Sequence, residues 1–313
     1  MNRRTFNLSL LALPALFNPM MSHAQSIVFL DYTQETLDRA YGQRAWAANA
    51  SEVIARYKTD SAAVRQRVAP STATYGAGAA ETLDIFAPMN TKANAALPVM
   101  VFVHGGAWRM LGKDDASHPA LTFVNNGCLY VAVNFDNIPT VRLPDIAEQC
   151  RRAVSWVAKN IAAYGGDPKR IFVSGHSSGG HLAAVLLTTD WVQLGLPVDV
   201  IKGGVVMSGM YELHPVMLSA RSHYVKISQA ELAALSPMRH LHRIACDVMV
   251  VTGMLESPEF KRQADEFARA LAGMGRLRQR FDLADTNHFE VVEMLNDAQT
   301  PVSQAVLKMM QGQ

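Results

Sequence analysis

Cysteine is scarce: the 313 residues hold only Cys128, Cys150 and Cys246, too few for a disulfide framework and with no short Cys/His spacing that suggests a zinc site. Each lies in or beside a strongly apolar segment, so all three read as core residues. Charge of one sign is also lacking, since 29 Lys and Arg stand against 27 Asp and Glu, a formal net charge of +2. With no basic block, there is no electrostatic reason to expect a nucleic-acid partner. Arg276, Arg278 and Arg280, the one tight basic cluster, read as a solvated edge before a strand. No internal repeat or low-complexity tract is visible. What is present is 49% hydrophobic residues over a length just above the usual single-domain ceiling, enough for a sizeable core, and this excludes disorder and collagen.

The apolar run from Leu8 to Phe17 is too short to span a bilayer of about 30 Å, and Pro14 and Pro19 interrupt it. It follows the positive stretch Asn2-Arg3-Arg4-Thr5-Phe6 and precedes Ser22-His23-Ala24, a small-x-small cleavage pattern. Residues 1–24 therefore read as a signal peptide cut after Ala24, with adjacent arginines that resemble a twin-arginine export signal. The mature protein is expected to be exported, periplasmic or secreted, with no stable membrane insertion once the signal is removed.

Along the rest of the chain, apolar runs of strand length occur at Val99–Val103, Leu129–Asn134, Arg170–Ser174, Gly203–Ser208, Val248–Thr252 and Arg278–Leu283. Longer stretches with helical spacing separate them. The clearest, Asp145–Ala163, puts Ile146, Cys150, Val154, Val157 and Ile161 on one face and is stopped by Gly165-Gly166-Asp167-Pro168. Near-continuous apolar strands alternating with helices predict an α/β class: a mostly parallel, doubly wound sheet covered on both faces. The alternation breaks at about 214–243, where one short helix, Ser228–Leu235, is expected within a small helical cap over the sheet's C-terminal edge. Residues Leu30–Ala69 read as mainly helical, with Ser51 and Asp60-Ser61 as caps, before a first strand pair near Thr82–Phe86. Residues 25–313 thus read as a single domain.

The chemistry begins at Gly175-His176-Ser177-Ser178-Gly179, between the strand Arg170–Ser174 and the helix His181–Thr188. Strand, sharp turn and helix form the setting in which a serine hydroxyl is held exposed above a sheet as a nucleophile. Only small residues can flank so tight a turn, which Gly175 and Gly179 supply, while Gly180 lets the helix pack close to its strand. A hydroxyl is a poor nucleophile at neutral pH, so a base and a home for the developing oxyanion are needed. His104-Gly105-Gly106-Ala107-Trp108 follows Val99–Val103 and nominates the N–H groups of Gly105 and Gly106, alongside that of Ser178, for the oxyanion hole.

Of ten histidines, His288 is the expected base, because Asp285-Thr286-Asn287-His288-Phe289 follows a strand at the edge where such a sheet gathers its site. His104 reads as a structural loop residue, and His176 and His181 flank the turn without being placed to accept the Ser177 proton. Glu256, after the strand Val248–Thr252, is the expected acid that orients the imidazole, with Glu259 and Asp285 as competitors. Trp108, Tyr211 and Phe289 adjoin motif positions and are candidates to line a substrate pocket, each with core packing as the alternative.

The set His104-Gly-Gly-Ala-Trp108, Gly175-His-Ser-Ser-Gly-Gly-His-Leu182, Glu256-Ser-Pro-Glu-Phe260 and His288-Phe289 resembles the α/β-hydrolase fold, and within it the kynurenine formamidase (arylformamidase) type. The similarity extends to Glu81-Thr-Leu-Asp-Ile-Phe86, Gly165-Gly-Asp-Pro168 and Ser208-Gly-Met-Tyr211. The resemblance implies a metal-free serine hydrolase, without cofactor, in which Ser177, Glu256 and His288 form a triad. It also implies a small-molecule substrate, either an N-formyl or acyl aryl amide or a small ester. Glu256 departs from the family's usual Asp by one methylene. An exported carboxylesterase acting on short-chain or aromatic esters is the alternative. A non-catalytic binding protein on the same scaffold would be marked by loss of a triad residue, and all three positions are occupied.

Overall fold

The computed structural model describes residues 26–313; the expected signal peptide and its cleavage site lie outside the described residues. The described residues begin with a short hairpin, β1 (Ile27–Phe29) and β2 (Tyr32–Thr33), followed by helices α1 (Gln34–Tyr41) and α2 (Ala50–Arg67). Next come β3 (Ser71–Thr74), β4 (Thr82–Phe86), β5 (Leu97–Val103), α3 (Ala120–Asn125), β6 (Leu129–Val133), α4 (Leu143–Asn160), β7 (Gly166–His176), α5 (Ser178–Leu187) and β8 (Ile201–Met207). Helices α6 (His214–Leu218) and α7 (Gln229–Ala234) precede β9 (Asp247–Gly253), α8 (Pro258–Gly273), β10 (Leu277–Leu283) and α9 (Pro301–Met310).

Strands β3 to β10 form one sheet in the order β10-β9-β8-β7-β5-β6-β4-β3. The six strands from β10 to β6 pair in parallel, while β4 runs antiparallel to both β6 and β3. Alternation along the strands feeds two cores. Val99, Val101 and Val103 of β5 pack on one face with residues of α4, α5 and α8, and Met100 and Phe102 pack on the other with residues of α2, α3 and α9. A strand buried on both faces needs no polar side, and β6 accordingly reads Leu-Tyr-Val-Ala-Val without an exposed residue. All three cysteines are free and buried.

Several local expectations need correction. The helix α2 runs unbroken from Ala50 to Arg67, so Asp60-Ser61 does not begin a new helix. Ser61 is fully buried, and its hydroxyl accepts from the N–H groups of Ser117 (3.0 Å) and His118 (2.9 Å), a tertiary contact where local reading suggests a cap. Nor is Ser51 the cap. Asn49 stands there, with its side chain bonded instead to Glu290 and Asn287 in the turn that carries His288.

The cap region is also richer than one helix, with α6, α7 and three short 3-10 turns between 214 and 243. Ser228 caps α7, its hydroxyl accepting from Glu231 N–H. Finally, Gly165 ends the preceding turn at φ 91°, but β7 starts immediately at Gly166, which registers against Leu97 of β5. The basic cluster lies in the edge strand β10 as well as before it, and Arg278 and Arg280 form ion pairs with Asp247, Asp265 and Asp282.

Candidate active site

Four loops at the C-terminal ends of β5, β7, β9 and β10 supply the site. Ser177 sits between β7 and α5 at φ 57° and ψ −121°, a conformation that costs a non-glycine residue roughly 1–3 kcal/mol. The surroundings leave little choice. A Cβ on Gly179 would meet the Val103 carbonyl oxygen at 2.1 Å and that of His104 at 2.4 Å. The helix start is therefore pressed against the end of β5, which holds the turn in its strained form.

Ser177 Oγ lies 2.8 Å from His288 Nε2, and His288 Nδ1 lies 2.7 Å from Glu256 Oε2. All three side chains are buried. The other carboxylate oxygen of Glu256 accepts from the Ser208 hydroxyl at 2.5 Å and from Gly253 N–H at 2.8 Å. Both carboxylate oxygens are thus engaged, and no Lys or Arg is among these partners. The His288 ring is held edge-on by Phe260 (5.0 Å, 85°) and Phe289 (5.2 Å, 89°). Its backbone carbonyl accepts from His176 Nε2 at 2.7 Å, and the next carbonyl, of Phe289, accepts from the Tyr57 hydroxyl.

Burial pushes His176 well below the ordinary histidine range, so its ring is neutral and the Nε2–H bond to His288 sets its tautomer. Burial likewise pushes His104 and His181 down to about 4. His104 stacks on Phe135 at 4.0 Å and bonds the Gly105 carbonyl, and His181 donates to the Leu235 carbonyl, so neither reaches the Ser177 hydroxyl. The competing acids are placed elsewhere. Glu259 is in the first turn of α8, bound to Arg262, Tyr41 and Gln263, and Asp285 is exposed.

The loop His104–Trp108 bends back over the elbow. Gly106 has φ 108°, and a Cβ there would lie 2.0 Å from the Met110 carbonyl oxygen. Ala107 and Trp108 follow with φ 55° and 60°. Trp108 N–H donates to Ser178 Oγ at 3.2 Å, which ties this loop to the helix start. Among the described residues, the N–H groups of Gly105, Gly106 and Ser178 find no acceptor in a loop or side chain, and the last is an unpaired first-turn N–H of α5.

Ser177 and His288 open into a cavity of about 230 Å³. Phe289 lines it, whereas Trp108 and Tyr211 do not. Tyr211 is fully buried, stacked on Phe267 at 4.1 Å with its hydroxyl accepting from Gly209 N–H, and Trp108 is buried against His181. The walls come instead from segments without motif character: Tyr41 at the end of α1, Gln43 and Arg44 after it, Ile54 and Tyr57 on α2, Met110 and Leu111, and Arg221 from the cap. Sequence reasoning missed these and Ser208, since no spacing links them to the elbow. Among the described residues, no group of three His, Cys, Asp or Glu side chains is arranged to hold a metal ion.

A family model described as BD-FAE matches residues 83–196. The chain is 29% identical to a kynurenine formamidase from Salmo salar over 90% of this chain and 97% of that protein. It is 31% identical to the esterase LipQ of Mycobacterium tuberculosis over 64% of this chain and 52% of that one. A solved structure from Silicibacter sp., with a provisional thioesterase assignment, superposes with a TM-score of 0.75 at 27% identity, covering 86% of this chain and 97% of its own. The architecture is the α/β-hydrolase fold.

Proposed function

We propose that this chain, with its α/β-hydrolase fold and its likeness to formamidases and esterases, is a serine hydrolase that cleaves a small ester or an N-formyl or acyl aryl amide through an acyl-enzyme. The observation that carries the reading is the continuous path from Ser177 Oγ to His288 Nε2 (2.8 Å) and from His288 Nδ1 to Glu256 (2.7 Å). In this mechanism His288 takes the Ser177 proton as Oγ attacks the carbonyl carbon, and Glu256 stabilises the imidazolium in place. The oxyanion accepts from the N–H groups of Ser178 and of Gly105 or Gly106. His288 then protonates the leaving amine or alcohol, and a water activated by the same imidazole releases the acid.

The decisive assay compares hydrolysis of an N-formyl aryl amine with its acetate-ester analogue, using wild-type protein and Ser177→Ala. Ser177-dependent turnover with a formamide preference supports the arylformamidase reading, and ester-only turnover supports the carboxylesterase one. Full turnover by Ser177→Ala removes the serine from its role. We further propose one hydrolase domain over 25–313, with 214–243 as its cap, exported after cleavage behind Ala24. Mass analysis of the exported N-terminus tests this, and retention of residues 1–24 refutes it.

A further inference from the structure

Arg221 has no part in the mechanism above, yet it lines the same cavity as Ser177. Its side chain comes from the cap and is 9% exposed. Nε and Nη2 both donate to the Tyr41 carbonyl, at 3.3 and 2.9 Å, and the guanidinium lies over the rings of Tyr41 and Trp108. Nη1 is buried and, among the described residues, has no hydrogen-bond partner. A second buried donor in the same cluster, Trp108 Nε1, is orphaned too. Arg221 forms no ion pair with a described carboxylate.

A buried guanidinium with an unmet N–H and no counter-charge is costly, and structures keep such groups where a partner arrives from outside. The cavity's other charged lining residue, Arg44, is exposed, holds Ser51 Oγ with one nitrogen and forms no ion pair among the described residues. No Asp or Glu is among the lining residues, while Ile54, Met110, Leu111 and Phe289 make the rest of the wall apolar. Such a wall is shaped for an apolar body that ends in a negative group. Two oxygens suit the site best, because a carboxylate matches one guanidinium edge and keeps lone pairs for a second donor.

Resting on the hydrolase reading of the same cavity, we propose that Arg221 is the anchor for a carboxylate on the substrate, with Arg44 attracting it at the cavity mouth. The enzyme then selects anionic esters or amides over neutral ones of equal size. Arg221 touches no reacting atom, so its loss acts on KM more than on kcat.

The test uses two matched ester pairs: phenyl acetate with 4-acetoxybenzoate, which carries the charge on the leaving group, and phenyl propionate with phenyl hydrogen succinate, which carries it on the acyl group. Wild-type protein should give an anionic-to-neutral ratio of kcat/KM above one in at least one pair. Arg221→Met should lower that ratio by roughly tenfold or more, chiefly through KM, with Arg221→Lys recovering part of it. Arg44→Gln, at an exposed position, should lower it by about two- to fivefold and provides a variant that does not disturb packing. A ratio unchanged by Arg221→Met, or equal losses on both members of each pair, overturns the proposal.

Should none of these esters be turned over, benzoate binding to Ser177→Ala by calorimetry decides instead. Roughly tenfold weaker binding in Ser177→Ala/Arg221→Met upholds the anchor whatever the fate of the hydrolase reading, and equal or absent binding in both refutes it.

Discussion

The Ser208 hydroxyl donates to Glu256 Oε1 at 2.5 Å, on the carboxylate oxygen opposite the one that His288 uses. Ser208 follows β8 at φ 51°, its N–H bonded to the Val251 carbonyl of β9, so the hydroxyl is placed by two adjacent strands. In the proposed mechanism it orients the acid that orients the base. Ser208→Ala should lower kcat about tenfold with KM little changed, because Gly253 N–H alone then holds that oxygen. Steady-state kinetics beside a melting curve check this; a lower melting temperature with unchanged kcat would leave Ser208 a purely structural role.

The two carboxylates Glu256 and Glu259, three positions apart in the chain, should separate cleanly. Glu256→Gln leaves the shape intact but removes the charge facing His288, and kcat should fall by about 10³–10⁴. Glu259→Gln instead weakens a buried ion pair with Arg262 (2.7 Å) and a bond from the Tyr41 hydroxyl (2.8 Å), and should cost about 2–4 kcal/mol of stability. Chemical denaturation and single-turnover kinetics of both variants distinguish the roles. Comparable kinetic losses in the two would undo the assignment of Glu256.

Asp84, on β4, has a fully buried carboxylate that accepts from Arg65 (2.6 Å), Lys113 (2.9 Å) and the Thr72 hydroxyl (2.6 Å). Burial works against its ionisation, but the bonds from Thr72, Arg65 and Lys113 and the charge of Lys113 prevail, and the carboxyl is held below its ordinary range. A depressed folded value means stability that is present above the ordinary carboxylate range and lost as pH falls through the folded value. Asp84→Asn should therefore cost about 3–5 kcal/mol near pH 7, the difference from wild type narrowing as pH drops below about 4. Urea unfolding across pH measures it, and a difference independent of pH would contradict it.

Gly179→Ala should not yield a stable protein, since the added methyl would overlap two backbone oxygens that cannot retreat without moving β5. Gly273→Ala, at the end of α8 with nothing within 4 Å of the added carbon, should be neutral or stabilising by about 0.5–1 kcal/mol. Soluble yield and melting temperature of the pair provide the check. A well-folded Gly179→Ala would show that the elbow is less tightly pressed than the contacts imply.

Local pattern was sufficient for much of this architecture. The six runs from Val99 to Leu283 became β5 to β10 with ends shifted by a few residues; β5 to β9 are apolar because a strand buried on both faces must be so along its length, whereas the edge strand β10, Leu-Arg-Gln-Arg-Phe-Asp-Leu, keeps exposed polar positions. Ser177 was legible for a different reason. A tight strand-to-helix turn imposes glycine at fixed offsets, and steric demand of that kind is written within five residues. Glu256 and His288 could be read from their order after successive strands, since parallel strands bring their C-terminal ends to one edge.

What the residues alone determined is thus whatever depends on near neighbours: the strands, the elbow, and the loops that hold Glu256 and His288. Tertiary structure decided the cavity wall. Tyr41 and Arg221 are 180 positions apart and meet only because the cap packs over α1, while Tyr57 reaches the carbonyl of Phe289 across 232. It also decided that Tyr211 is core, that Ser61 receives a distant loop where a cap was expected, and that Ser208 serves Glu256. Such contacts join segments with no shared period or spacing, so they leave no local pattern and exist only once the sheet has brought the segments together.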